Sequence, residues 1–318
     1  MKRIVFWNCG GTGNMGDDLC HLGAVRFAER RWGAPAHMKR IFLLNEATVL
    51  DVIESDLLLI GGGALLEPDS DFLARLDKHG TGETPFAFAG IGVSDCDAVR
   101  EIVPKLKPLF WHVRNKESGR ILLANRPQAT VELGDDLSNL VEIQPWHGSE
   151  WRCGALALKA VGKSTAFAAE LAKELNQVEE PVALLALNSR PRTEVDIDGE
   201  RAFVSDCDDT VLGRKVAMLS ESRYRREIVA YDHELHRPEV WAGMLGGYQY
   251  MVVERLHAAI LAHRFRIPFR GVGSSDKVKR FMQDVGMADR IIGGTPSEIV
   301  AGLLAARGEA QTVEAMAR

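Results

Sequence analysis

An arginine and a histidine two residues apart mark one stretch of this chain, Val252-Val253-Glu254-Arg255-Leu256-His257-Ala258-Ala259-Ile260-Leu261. A guanidinium offers a planar fork for a carboxylate or phosphate, and an imidazole moves protons near neutral pH. The apolar residues before the pair read as a strand and those after it as a helix. Both side chains would then stand at a helix start, where backbone N–H groups lack intrahelical partners. An anion gripped by Arg255 and protonated by His257 is a coherent site. Arg255 paired to Glu254, with His257 a satisfied core residue, is the plainer alternative.

Glycine-rich stretches mark two more places. Gly10-Gly11-Thr12-Gly13-Asn14-Met15-Gly16-Asp17-Asp18 lies between a predicted strand and a predicted helix. Read as a dinucleotide fingerprint, it ends on two aspartates whose charge would repel a pyrophosphate while favouring the helix start. Asp17 could cap the helix, or orient or deprotonate a substrate hydroxyl. Asp56-Leu57-Leu58-Leu59-Ile60-Gly61-Gly62-Gly63 runs a buried strand into three glycines, and Ala89-Gly90-Ile91-Gly92-Val93 ends similarly. Ligands of open α/β sheets bind beyond the carboxyl ends of the strands, so such endings would line one crevice; flexible strand-to-helix turns are the alternative.

Weaker signals have bland readings. His233-Glu234-Leu235-His236 lacks the spacing of the HExxH zinc signature. Asp206-Cys207-Asp208-Asp209 could catch a cation or belong to a mobile acidic loop over Val195–Asp209, and Ser222-Arg223-Tyr224-Arg225-Arg226 reads as a solvated helix end or a phosphate clamp.

The elements that must position these residues follow from hydrophobic patterning. Continuous apolar runs predict strands at Ile4–Trp7, Arg40–Leu44, Asp56–Ile60, Phe86–Ile91, Phe110–Val113 and Thr130–Leu133, with a helix over Asp17–Arg31. Uninterrupted runs suit strands covered on both faces. The pattern lapses at Val141–Arg152, and a second series follows: helix Ser164–Leu175, strand Val182–Leu187, helix Val211–Ser222, strands Glu227–Tyr231 and Tyr250–Val253, and helices Asp276–Val285 and Pro296–Ala306. Strand–helix alternation predicts an α/β chain of two doubly wound, Rossmann-like domains, residues 1–150 and 151–318. The tail after 306 could cross back to the first domain or fray.

Composition bounds the function classes. The chain has 318 residues, 46% of them hydrophobic, and a net charge of −5, which gives no bulk reason to expect nucleic acid. Five scattered cysteines without a CxxC pair read as free thiols, not as a disulfide framework or zinc site. No export signal and no membrane span are read, so a cytoplasmic protein is expected.

Taken in order, the motifs resemble the polysaccharide pyruvyl transferase family. GNxGD appears as Gly13-Asn14-Met15-Gly16-Asp17, and D-apolar-GGG as Asp56 through Gly63. Then come Gly90-Ile91-Gly92, Arg114 with Ser118, and Arg255-Leu256-His257-Ala258 followed by Pro268 and Lys277-Val278. Two positions depart from the family pattern: Val253-Glu254 replace a serine, and Arg114-Asn115 replaces Arg-Asp. The resemblance implies a GT-B-like pair of domains facing across a cleft, the first on the acceptor side and the second on the donor side. It implies phosphoenolpyruvate as donor co-substrate, no metal or other cofactor, and a saccharide or lipid-linked oligosaccharide acceptor. In the latter case the enzyme would work at the inner face of the membrane. His257 would be the acid, Arg255 the clamp, Asp17 the base or positioner, and Arg190 and Arg114 further anion clamps; Gly13, Asn14, Gly16, Gly61, Gly62 and Gly63 would line the substrates. Apolar C-terminal helices could pair into a homo-oligomer. A nucleotide-sugar glycosyltransferase and a non-catalytic ligand-binding relative remain alternatives on one scaffold.

Overall fold

A computed structural model of the chain describes residues 3–8, 13–33, 37–41, 44–66, 72–146, 153–189, 193–197, 200–204, 208–221 and 226–317. The chain forms two compact units, Met1–Gly11 with Asp17–Glu142, and Thr12–Gly16 with Ile143–Arg318. Arg190, a predicted anion clamp, lies outside the described residues.

The first unit is built on strands β1 (Arg3–Trp7), β2 (His37–Ile41), β3 (Leu57–Leu66), β4 (Phe86–Val93), β5 (Trp111–Val113) and β6 (Val131–Leu133), all parallel in the order β2-β1-β3-β4-β5-β6. Helices α1 (Met15–Trp32), α2 (Val49–Ile53), α3 (Phe72–His79), α4 (Asp97–Ile102) and α5 (Lys116–Asn125) connect them. Successive side chains of a strand point to opposite faces. Val5 and Trp7 accordingly join one buried cluster, with Leu58, Ile60, Phe88 and Trp111, while Ile4 and Phe6 join another, with Leu57, Leu59, Ala87 and Ala89. Burial on both faces explains the uninterrupted apolar runs. Strand order reverses between β1 and β3, which makes that point the natural crevice.

The second unit repeats the plan. Strands β7 (Gly154–Ala157), β8 (Val182–Ala186), β11 (Arg226–Ala230), β12 (Tyr250–Val253), β13 (Phe269–Val272) and β14 (Ile291–Ile292) lie parallel in the order β11-β8-β7-β12-β13-β14. The helices are α6 (Thr165–Leu175), α7 (Asp209–Leu219), α8 (Pro238–Met244), α9 (Leu256–Arg264), α10 (Asp276–Asp284) and α11 (Pro296–Ala317). Leu171 and Leu175 of α6 and Ile299 and Leu303 of α11 bury against Leu184, Tyr250, Val252 and Val272 of the sheet. Here the order reverses between β7 and β12.

Three expectations need correction here. The stretch read as an acidic loop forms an antiparallel hairpin, β9 (Thr193–Ile197) with β10 (Glu200–Val204); Asp-Gly between two runs of alternating residues is the signal that was overlooked. Gly61–Gly63 do not end their strand: β3 continues through them to Leu66, with the register against β4 shifting near Ala64. The last helix also outruns its predicted end at 306 and continues to Ala317, its Glu309 pairing with Arg270 and Arg290 of the same unit.

Candidate functional site

In the first unit a buried ion pair holds the strand ends together. Arg114, just past β5, donates through Nη1 to Asp136 Oδ2 at 3.0 Å, the two side chains 8% and 5% exposed. Asp136 also caps the short 3-10 turn Leu137–Leu140 by accepting from Ser138 N–H, and it accepts from Cys20 Sγ at 3.4 Å. Burial, then the charge of Asp136, pushes the Cys20 thiol well above its ordinary value, so it is held protonated and inert. The Asn that departs from the family's Arg-Asp keeps a helix-capping role: Asn115 Oδ1 accepts from Ser118 N at 2.8 Å at the start of α5.

Around the glycines of β3, packing explains two of the three. A Cβ on Gly61 would come 1.9 Å from Ala89 O, and one on Gly62 would come 2.6 Å from Cys20 Cβ. Gly63 has the nearest such atom, Asp17 Oδ1, at 3.9 Å; that half-buried carboxylate faces it from the first turn of α1. Its neighbour Asp18 is structural, paired at 3.0 Å with Arg40, which also donates to Asn8.

In the second unit the GNxG residues acquire physical roles. Gly13 has φ +83°, which a side chain resists. Asn14 Oδ1 accepts from Gly16 N at 3.1 Å, a local Asx turn. Residues 13–15 then lie beside the end of β8, with Met15 N–H on Leu187 O and Ser189 N–H on Gly13 O. Gly16 abuts the predicted acid, since a Cβ there would come 1.8 Å from His257 Nδ1.

Most of the polar chemistry gathers where β7 and β12 part. Arg255 occupies the N-cap of α9, makes no side-chain cap bond, and places His257 in the first turn. Its Nε and Nη2 pair with both oxygens of Asp209, whose side chain is 1% exposed. Asp209 accepts further from the N–H groups of Ala160, past β7, and Asn188, past β8. Burial holds the Asp209 carboxyl above its ordinary value, against the pull of the guanidinium and these N–H groups. Thus Arg255 is paired, as the plainer reading had it, but with Asp209 and not with Glu254.

Glu254, next to Arg255, does different work. After the last register pair, Val253 with Ala157, Glu254 N–H still reaches Ala157 O. As the strands diverge, its carboxylate takes over as acceptor: Oε2 receives Lys159 N–H at 2.9 Å, and Oε1 receives Lys163 Nζ at 3.1 Å and Ser274 Oγ at 2.6 Å. Burial pushes this carboxyl up, but the three donors outweigh it and hold it below its ordinary value. Lys159 extends its own ammonium past the end of β12 to Ser275 Oγ, 3.0 Å away. Ser275 is the N-cap of α10 yet makes no cap bond, its hydroxyl accepting from the lysine instead.

Sequence reading picked out Arg255, His257, Gly16, Asn14 and Gly13, and the structure gathers all five in the second unit. It keeps Arg114, Asp17 and Gly61–Gly63 in the first. Asp209 lay within a motif noted as able to catch a cation, and the cation is Arg255. Lys159, Glu254 as a polar hub, and Asp136 went unpredicted; charged residues just beyond apolar runs were the signal.

No curated protein matches the chain by sequence. Among solved structures it resembles S. aureus MnaA with UDP (TM-score 0.57, 10% identity, 97% of this chain and 87% of that one). It also resembles UDP-GlcNAc 2-epimerase from Neisseria meningitidis bound to UDP-GlcNAc (TM-score 0.52, 9% identity, 98% and 91%). An α-glucosyltransferase in complex with UDP and DNA follows (TM-score 0.50, 8% identity, 98% and 90%). At these identities the likeness is one of fold, two parallel α/β sheets of the GT-B kind. Residues 157–276, from the end of β7 through Asp209, Arg255 and His257 to the start of α10, match the model of the polysaccharide pyruvyl transferase family, the family that the motifs of the sequence resemble.

Proposed function

We propose that the chain is a pyruvyl transferase, moving the pyruvyl unit of phosphoenolpyruvate onto two hydroxyls of a saccharide with release of phosphate. The observation that carries this reading is the Arg255–His257 pair at the reversal point of the second sheet, inside the stretch that matches the family. His257 gives a proton to C3 of the enol, C2 becomes oxocarbenium-like, and a sugar hydroxyl adds there. Phosphate then leaves and a second hydroxyl closes the ketal; of the two hydroxyl protons, one balances that gained by C3 and one leaves with phosphate. Arg255, oriented by Asp209, holds donor charge. Asp17, in the first unit, is the carboxylate proposed to position or deprotonate the acceptor. No residue role here calls for a metal.

The test is a thermal-shift titration with phosphoenolpyruvate against a panel of nucleotides and nucleotide sugars. A ligand at 100 times its Kd stabilises the native state by about 2.7 kcal/mol. A shift with phosphoenolpyruvate that Arg255→Ala abolishes, followed by phosphate release on adding a saccharide, is the expected result. A shift with a nucleotide alone would replace this reading by nucleotide-sugar transfer, the chemistry suggested by the UDP-bound structures of the same fold.

A further inference from the structure

Buried polar atoms nearly always have a hydrogen-bond partner, and Asn188, just past β8, breaks that rule. The residue is 3% exposed, yet its side-chain Oδ1 accepts no hydrogen bond among the described residues. Its main chain, by contrast, is held on both sides. Asn188 N–H donates to Asp209 Oδ2 at 3.3 Å, and Asp209 N–H donates back to Asn188 O at 2.8 Å. On the other side Asn188 pairs with Asn14 across an antiparallel bridge. Bonds from Met15 N–H to Leu187 O and from Ser189 N–H to Gly13 O flank that bridge. It is therefore a non-hydrogen-bonded pair, in which the two side chains lie close on one face. Both groups of the proposed reaction are one step away. Asp209 grips Arg255, and two residues past Asn14 the chain reaches Gly16, against His257 Nδ1. A buried amide oxygen without a donor costs stability, and the fixed backbone keeps it in this place.

We infer that Asn188 is a donor-binding residue whose side-chain amide hydrogen-bonds the phosphoryl group of the donor. An amide both accepts, through Oδ1, and donates, through Nδ2. A phosphate monoester takes up its second proton at about pH 6, so near neutral pH it offers an O–H to the one atom and oxyanions to the other. A carboxylate at that pH offers acceptors only, which leaves Oδ1 unserved. The same amide suits the departing phosphate, which carries a proton away. This rests on the pyruvyl-transfer reading, and the test separates the two.

Titrations with phosphoenolpyruvate, and with inorganic phosphate as a second probe, would compare the unaltered protein with Asn188→Leu and Asn188→Asp. Leucine keeps the branched shape and removes the polar atoms. Losing a hydrogen bond to a charged group weakens binding about tenfold to a hundredfold. Asn188→Leu is expected to lose that much for both probes while its ligand-free melting temperature holds at or above the parent's, because the orphan oxygen is gone. A purely structural asparagine would not give that split. Asn188→Asp, which sets a carboxylate against the phosphoryl group, should bind both probes more weakly still. If Asn188→Leu fails to fold, Asn188→Ala carries the same expectation for affinity. Unchanged affinity in the variant that folds overturns the inference and leaves pyruvyl transfer standing. A loss for phosphoenolpyruvate with none for phosphate puts the amide on the donor's carboxylate and overturns the phosphoryl assignment. Failure of the unaltered protein to bind phosphoenolpyruvate overturns both readings.

Discussion

Asp209 shares its two oxygens among Arg255 and the N–H groups of Ala160 and Asn188, with a side chain 1% exposed. Removing one partner of such a buried pair costs about 3–5 kcal/mol, so Asp209→Ala should lower urea-unfolding stability by an amount in that range. Gly16→Ala tests a different dependence. Its new methyl must displace the His257 ring, and loss of general acid catalysis typically costs about 10²-fold or more. Turnover should fall to near that of His257→Asn, and the double variant should be no worse than the single ones, because both act on one group. Glu254 has an acid signature. Its folded-state value lies below the ordinary 4.5, so its stabilisation is complete above that value and lost as pH falls through the lower folded one. The stability gap between the unaltered protein and Glu254→Gln should therefore be open at pH 7 and narrow as the pH is lowered into the acid range; a gap that does not narrow in acid would contradict this assignment.

At the scale of elements, α1 carries its own pH dependence. His21 stacks on Phe6 at 5.5 Å, and burial, followed by the Arg40 charge, lowers its value from 6.5 to about 4. Between those limits the unfolded chain binds a proton that the folded helix refuses, so stability must fall as pH drops from 6.5 toward 4. Chemical denaturation at pH 7.5 and pH 5 should show that loss, and His21→Phe should show less of it. Elements with both faces buried were legible as apolar runs: Ile4–Trp7 and Tyr250–Val253 came out within a residue. Strand β2 was misplaced because it is an edge strand with alternating burial, and the apolar run after Arg40 drew the reading three residues too far. Strand β7 was missed since Gly154-Ala155-Leu156-Ala157 has little intrinsic strand preference; its place between β8 and β12 makes it a strand.

Across the whole molecule, the residue types able to do chemistry were readable, but their partners were not. Arg255 finds Asp209 46 positions away, Lys163 finds Glu254 91 away, and Lys159 finds Ser275 116 away. Such pairs follow from strand order, which no local window contains. Among the described residues no helix is long and apolar enough to cross a membrane. Each unit carries its own buried clusters, yet the chain does not divide at a single point, because Thr12–Gly16 groups with the second unit while the residues on either side group with the first. A fragment starting at Ile143 would lack the Gly13–Ser189 and Met15–Leu187 bonds, and it is expected to show no thermal shift with phosphoenolpyruvate even where circular dichroism reports a folded α/β structure.

The same five residues bear on how relatives of this chain could trade parts. Exchange of first units through one crossover near the middle of the gene would bring in a foreign loop beside His257, and any residue larger than glycine at position 16 would collide with the ring. A hybrid that keeps the second unit's own loop would need two further junctions, flanking residues 12–16. A glycine at position 16 is therefore the condition under which an incoming loop can sit beside the His257 ring.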